Sequence, residues 1–273
     1  MSDARAGWTR SASDADDWRR MEESPIRLVD YAIHIHYLSK YLNRRERVLE
    51  VGAGGGRFTR ELAGLVKSIV VADISPDKLM RNRRNAEADG YVTKVEEWRE
   101  CDMRDLRPHF QDGAFDAVVC YGGPLSNVSR DRFKAIRELV RVTKAGGRLF
   151  LSAKSLWGTV HEHLPSIVRV DPLMNREIVD TGDLGPDLVG VASRFWHAYR
   201  AKEFREFIED AGAQVELISA SDCLSSTWKD LLPTWRSSKR TWEHLLELEI
   251  EACREPGSLD MGTHVLAVAR KPK

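Results

Sequence analysis

The chain has 273 residues, of which 42% are hydrophobic and 31% charged, enough for one large α/β domain with insertions and unlike a disordered composition. Lys plus Arg and Asp plus Glu both number 42, so net charge offers no argument for nucleic acid or an anionic membrane. No apolar run approaches the ~18 residues of a membrane span, and the first residues lack the apolar core of a signal peptide. Cys101, Cys120, Cys223 and Cys253 form no CxxC pair, so reduced thiols and a cytoplasmic protein are expected.

Met1 to Asp17 is polar and is expected to be loose. From Pro25 to Leu42 the apolar positions Ile26, Val29, Ile33 and Tyr37 recur at helical spacing. Val48 to Val51 reads as a strand, cut by the glycine run Gly52 to Gly56, and a helix with Phe58, Leu62 and Leu65 on one face follows. Ile69 to Ala72 is a second strand ended by Asp73; Ser75 then caps a helix with Pro76 in its first turn, and Gly90 stops it. Val92 to Arg99 and Ala117 to Cys120 are the third and fourth strands, Arg130 to Thr143 a helix, and Arg148 to Ala153 a fifth strand after Gly146-Gly147. This alternation predicts a parallel sheet with helices on both faces.

Beyond Ser155 the rhythm breaks. Leu156 to Trp196 is too long for an ordinary connection and reads as an insertion that could roof a pocket. A helix from Arg200 to Ala211, stopped by Gly212, and a strand from Gln214 to Ser219 resume the pattern. Asp222 to Glu255 is a second, mostly helical interruption, and Thr263 to Ala269 is the closing strand.

Four features fall in register at predicted strand ends. Glu50, Gly52, Gly54 and Gly56 give E-x-G-x-G-x-G between a strand and a helix, where glycine permits a sharp turn and close approach of a ligand to the backbone. The dinucleotide fingerprint G-x-G-x-x-G is broken by Arg57 in place of its third glycine. Asp73 stands where a carboxylate can accept from both ribose hydroxyls of an adenosine ligand. Asp102 and Met103 can serve an adenine edge, and Tyr121-Gly122-Gly123-Pro124 leaves the fourth strand at the carboxyl edge of the sheet.

With these residues the chain resembles the class I S-adenosylmethionine-dependent methyltransferases of the small-molecule type, closely over Val48 to Ala153 and more loosely over Trp196 to Ser219 and Thr263 to Ala269. The resemblance implies a Rossmann-like seven-stranded, mostly parallel sheet with an antiparallel last strand and helical cap insertions. The organisation expected is a helical segment at 1–46 over the cofactor site, a core at 47–153, an acceptor cap at 154–195, core again at 196–221, a second helical insertion at 222–260 and a final strand at 261–273. The cofactor implied is S-adenosyl-L-methionine, with Glu50, Gly52, Ala53, Gly54 and Arg57 around its methionine portion. Asp73 would hold the ribose, Ile74, Asp102 and Met103 would flank adenine, and Tyr121 would lie near the sulfonium.

The reaction expected is methyl transfer to a hydroxyl or amine of a small metabolite, in secondary metabolism, by direct displacement in which alignment does most of the work. A hydroxyl acceptor needs a base and an amine needs only to be neutral. The candidate bases are His161, His163 and His197; Tyr31, Tyr37, Trp157 and Trp196 are candidates for the acceptor wall, and His34 and His36 share the first helix. No metal site is expected, because the fourth strand leads into Tyr-Gly-Gly-Pro rather than carboxylates. The alternatives are an RNA or protein methyltransferase, for which Arg81, Arg83 and Arg84 are the local basic cluster, a non-catalytic cofactor-binding regulator, and an NAD-dependent oxidoreductase. Neither a membrane nor nucleic acid is indicated as a partner, and the extra helices could serve a homodimer interface as readily as a cap.

Overall fold

The structure is a computed structural model and describes residues 25–128, 131–169, 171–185 and 195–273. The polar segment at 1–17 and residues 186–194 of the first insertion lie outside the described residues. In chain order the helices and strands are α1 (Pro25–Tyr41), β1 (Arg47–Val51), α2 (Arg57–Leu65), β2 (Ser68–Asp73), α3 (Pro76–Ala88), β3 (Val95–Glu100), β4 (Phe115–Cys120), α4 (Arg132–Val142) and β5 (Thr143–Lys154). Then come α5 (Leu156–Ile167), α6 (Pro172–Thr181), β6 (Asp183–Leu184), β7 (Trp196–His197), α7 (Ala201–Asp210), β8 (Gln214–Ala220), α8 (Leu232–Arg236), α9 (Lys239–Ala252) and β9 (His264–Arg270).

Seven strands form one sheet in the order β3-β2-β1-β4-β5-β9-β8. β1 to β5 pair in parallel, and β9 inserts antiparallel between β5 and β8, so the Rossmann-like arrangement and the reversed last strand are both present. Chain direction across the sheet reverses between β1 and β4, which makes their carboxyl ends the switch point where such sheets open a crevice.

Both faces of the sheet are covered, so alternate residues of one strand serve different cores. Leu49, Val51, Val118 and Leu149 pack with Ile136 and Leu139 of α4 and Phe204 and Phe207 of α7. Val48, Val71, Val119 and Phe150 pack with Ile33 and Tyr37 of α1, Phe58 and Leu62 of α2 and Cys253 beyond α9. Burying each such side chain contributes ~1.5–3 kcal/mol, which explains why the strands read as continuous apolar runs.

Two local readings are revised. Val92 to Lys94 is a 3₁₀ turn, and the third strand starts only at Val95. The fifth strand already pairs at Thr143, and Gly146, at φ +75°, belongs to a bulge in which the partners step from Phe115↔Thr143 to Ala117↔Arg148. Ser75 caps α3 as expected, accepting from the Lys78 amide. The first insertion holds two helices, α5 and α6, and the short β6–β7 hairpin. No described helix is long and apolar enough to cross a membrane.

Candidate active site

The glycine loop hangs from two strands at once. The amides of Gly52 and Ala53 donate to the Ala72 carbonyl of β2, at 2.8 and 3.2 Å. Gly52, Gly54 and Gly56 take φ of +70°, +55° and +99°, which favour glycine. A Cβ on Gly52 would lie 2.6 Å from Pro124 Cγ, so this glycine lets the β1 and β4 loops touch. A Cβ on Gly56 would meet the Asn82 side chain at 3.1 Å. A Cβ on Gly54 would meet nothing within 4 Å: its side-chain direction is open.

Asp73 is almost fully buried, and its two oxygens accept from the amides of Gly54 and Ser75, both at 2.9 Å. A carboxylate has about four lone-pair sites, so capacity remains for ribose hydroxyls. Glu50 lies under the loop and accepts from the Thr59 hydroxyl at 2.6 Å; Thr59 accepts from Asn82, and Asn82 from the Trp98 indole. Burial drives Glu50 up to about 8, against the Thr59 hydrogen bond and with the Asp73 charge beside it. Asp102 is gripped by the Arg104 guanidinium and accepts its amide, while Met103 Cε reaches to 3.6 Å from the Cβ position of Gly52. Ile74 and Ala53 are half-buried beside these groups in the chain. An open, amide-lined turn flanked by a fixed carboxylate fits the aminoacyl and ribose portions of an adenosyl cofactor. Arg57 instead crosses to α1, stacking 4.2 Å over the Tyr31 ring and donating to the Arg27 carbonyl.

Beside Tyr121, at the end of β4, a cluster of polar side chains is buried. The Tyr121 ring sits edge-on to His34, with centroids 4.6 Å apart, and near Phe58 at 5.4 Å. His264, the first residue of β9, places Nδ1 3.3 Å from Asp30 Oδ1, and its Nε2 is 3.5 Å from the Cβ position of Gly123. Asp30 also approaches His34 Nδ1, at 3.7 Å, and the Asp30 carbonyl lies 2.7 Å from the same nitrogen. Four atoms of this cluster are buried without a hydrogen-bond partner: Asp30 Oδ1, His34 Nε2, His264 Nε2 and the Tyr121 hydroxyl. Orphaned buried polar atoms each cost about 1–3 kcal/mol, so four together make this cluster a candidate ligand site.

The electrostatics agree. Burial would raise Asp30, but attraction to His34 and His264 outweighs it and holds this carboxyl well below the usual range. Burial, with the charge of Lys154, lowers His264 to about 4, and burial lowers His34 as well. Lys154, at the end of β5, is itself lowered by burial. At neutral pH the His264 imidazole is therefore unprotonated at Nε2 when its Nδ1 proton faces Asp30.

The bases expected from the sequence stand elsewhere. His161 and His163 are exposed on α5. His197 is buried, and both ring nitrogens are engaged, by Asp183 at 2.6 Å and Glu203 at 2.7 Å, so it clamps the β6–β7 hairpin to α7 and has no free nitrogen for a substrate. Tyr37 is fully buried and donates to Ser219 Oγ at 2.9 Å, in the core rather than on a pocket wall. Tyr31 is closer to the cluster, but its hydroxyl is bound to Glu61 at 2.7 Å. Trp157 is 40% exposed, and Trp196 packs on Leu156, Ile178 and Leu184 inside the insertion. In the basic cluster of α3, Arg83 pairs with Glu87 one turn away at 3.0 Å and Arg84 lies on Met80, as on a solvated helix face. Asp30, Lys154 and His264 were not singled out from the sequence; Lys154 and His264 lie at strand ends, whereas Asp30 lies within α1.

The family model described as a methyltransferase domain matches residues 48–147. The chain is 39% identical over 106 residues to a demethylmenaquinone methyltransferase of Clavibacter sepedonicus, covering 39% of this chain and 40% of that one. It is 34% identical over 122 residues to a ubiquinone biosynthesis O-methyltransferase of Xanthomonas oryzae pv. oryzae, covering 44% and 48%. The chain thus spans less than half the length of these curated relatives. Among solved structures, a SAM-dependent methyltransferase from Methanosarcina mazei superposes with TM-score 0.58 at 18% identity, over 86% of this chain and 97% of that chain. The cyclase SpnF superposes with TM-score 0.57 at 20% identity, over 90% and 81%. These likenesses establish the fold. Residues 48–147 match a methyltransferase domain, set in the fold of these structures.

Proposed function

We propose that this chain transfers the methyl group of S-adenosylmethionine to a hydroxyl of a small molecule, with His264 as the proton acceptor and Asp30 as its positioning partner. The observation that carries the reading is the pairing of a buried, unpartnered His264 Nε2, facing the Gly122–Gly123 edge, with Nδ1 held beside a charged Asp30. S-adenosylmethionine, when bound, supplies a methyl group already activated on sulfur. The chain's residues have three remaining tasks: Gly52 to Gly56 and Asp73 hold the donor, Phe58 and Tyr121 exclude water, and His264 Nε2 takes the acceptor's proton. The imidazolium so formed is stabilised by Asp30. An amine acceptor would need no such base. The quinone-biosynthesis names of the relatives favour a small-molecule acceptor.

The test uses the full chain with labelled S-adenosylmethionine and matched sets of phenols and amines. His264→Gln should lower kcat for hydroxyl acceptors by about 10²–10⁴-fold, less for more acidic phenols, and leave S-adenosylhomocysteine affinity within about two-fold. Unchanged rates with hydroxyl acceptors would refute the base assignment, and failure of the wild type to bind S-adenosylhomocysteine would refute the whole reading.

A further inference from the structure

Beyond the end of β8 lies a second cluster that methyl transfer does not use. β8 ends at Ala220, and Cys223 stands in the loop that follows; α9 carries Glu249, with Cys253 four residues later at its C-terminal end. Glu249 and Cys253 are fully buried, whereas Cys223 is partly exposed. The two sulfurs are 3.6 Å apart, and Glu249 Oε2 lies 3.5 Å from Cys223 Sγ and 3.7 Å from Cys253 Sγ. A tetrahedral zinc ion, with Zn–S of about 2.3 Å and Zn–O of about 2.0 Å, would set S···S near roughly 3.8 Å and S···O near roughly 3.5 Å. The three donor atoms already describe one face of such a tetrahedron.

We propose that Cys223, Glu249 and Cys253 form a structural site for a thiophilic divalent cation of the zinc class. Binding replaces two S–H bonds by two sulfur–metal bonds and releases two protons to solvent, with no change of oxidation state. The Glu249 carboxylate is fixed for the task. Its Oε2 accepts from the amides of Cys223 and Leu224 at 3.0 and 3.2 Å, and its Oε1 from the Ser225 amide at 2.6 Å. These three amides orient the ligand and offset part of the negative charge that two thiolates and a carboxylate bring together. The fourth position would be taken by water, as three protein donors leave it open. A disulfide would instead require the sulfurs to close from 3.6 Å to about 2.05 Å.

The site has a structural reach. The Cys253 carbonyl accepts from the Ala220 amide at 2.9 Å and from Ser219 Oγ at 3.3 Å, and Ser219 is the partner of Tyr37 on α1. A cation here would therefore pin α9 to the sheet end that supports the helix carrying Asp30 and His34. Cys223 and Cys253 are 30 residues apart, which is why no paired spacing reveals the site in the sequence.

The experiment takes the untagged full chain, reduced and stripped of metal, and adds cobalt(II) or zinc(II) before dialysis. About one equivalent of metal should remain bound, cobalt should give a thiolate charge-transfer absorption, and zinc should raise the Tm. Cys223→Ala, at the partly exposed position, should abolish the absorption and the zinc-dependent Tm shift while far-UV circular dichroism remains that of the parent. Cys101→Ala should change neither. Absence of bound metal and of the cobalt absorption, or a purified protein two hydrogens lighter through a Cys223–Cys253 bond, would overturn the proposal.

Discussion

Gly54→Ala separates binding from folding more cleanly than any other change in the glycine loop. At φ +55° an alanine costs about 1–2 kcal/mol of backbone strain, and nothing lies within 4 Å of its new methyl group. Gly212, at φ +92° after α7, has the same open surroundings and lies outside the loop. Gly212→Ala is therefore a matched control: both variants should lose Tm by about 2–4 °C per kcal/mol. The difference lies in what fills the open space above Gly54. If the cofactor lies on the loop, the new methyl is overpacked against it, at about 1–3 kcal/mol, or roughly 5- to 150-fold in Kd. Calorimetric titration with S-adenosylhomocysteine should show that loss for Gly54→Ala and none for Gly212→Ala. Equal affinities for the two variants would mean that the open face of the loop is not where the ligand lies.

Other changes test the remaining assignments. Glu50 titrates near 8 in the folded chain and near 4.5 when unfolded, so its protonated form stabilises the fold below pH 4.5 and that contribution falls by about 1.4 kcal/mol per pH unit as pH rises toward 8. Glu50→Gln, which keeps an acceptor for Thr59, should raise Tm more at pH 8 than at pH 5; a gain independent of pH would contradict the buried-acid reading. His197→Ala should destabilise the chain by about 2–3 kcal/mol by releasing two carboxylates from one clamp, seen as a lower Tm with the rate of methyl transfer retained below it. Tyr37→Phe removes one buried hydrogen bond and should cost about 1 kcal/mol, leaving acceptor KM unchanged because the ring lies in the core.

The glycine loop and its carboxylate neighbour were legible as local structure because they lie close together in the chain. Gly52, Gly54 and Gly56 are fixed by φ, and Asp73 by its place at the end of a strand that could be recognised as buried on both faces. The sheet order followed from strand–helix alternation, with the reversed last strand implied by family resemblance. The cluster beside Tyr121 was not legible, because Asp30, Lys154 and His264 come from three separate elements and meet only when β9 inserts beside β5. Histidines in the insertion drew attention because insertions often form pockets, yet His161 and His163 turn to solvent and His197 spends both nitrogens on carboxylates. Residue type nominates many bases, and the nitrogens that lack a partner narrow them to His34 and His264, of which His264 has its other ring nitrogen beside the Asp30 carboxylate at 3.3 Å.

That account also makes the basicity of His264 testable. The groups facing its ring are Asp30 and His34 on α1, Lys154 on β5 and its own neighbour Thr263, whose hydroxyl and amide are bound to Asp222. Asp30 at 3.3 Å favours the imidazolium; at an effective dielectric of about 20 the attraction is roughly 5 kcal/mol. Burial and the charge of Lys154 outweigh it, leaving His264 at about 4. Lys154→Met keeps the length of the side chain and removes the opposing charge, so His264 should become more basic. Because the base must be neutral to accept a proton, the rate with a hydroxyl acceptor falls as pH drops through the His264 pKa, and in Lys154→Met that fall should begin at higher pH than in the parent. The double variant with His264→Gln should lose this limb of the profile, which a merely destabilised Lys154→Met chain would not do. Superimposable profiles for the parent and Lys154→Met would show that Lys154 does not set the proton affinity of His264, and the electrostatic reading of the cluster would fail at that point.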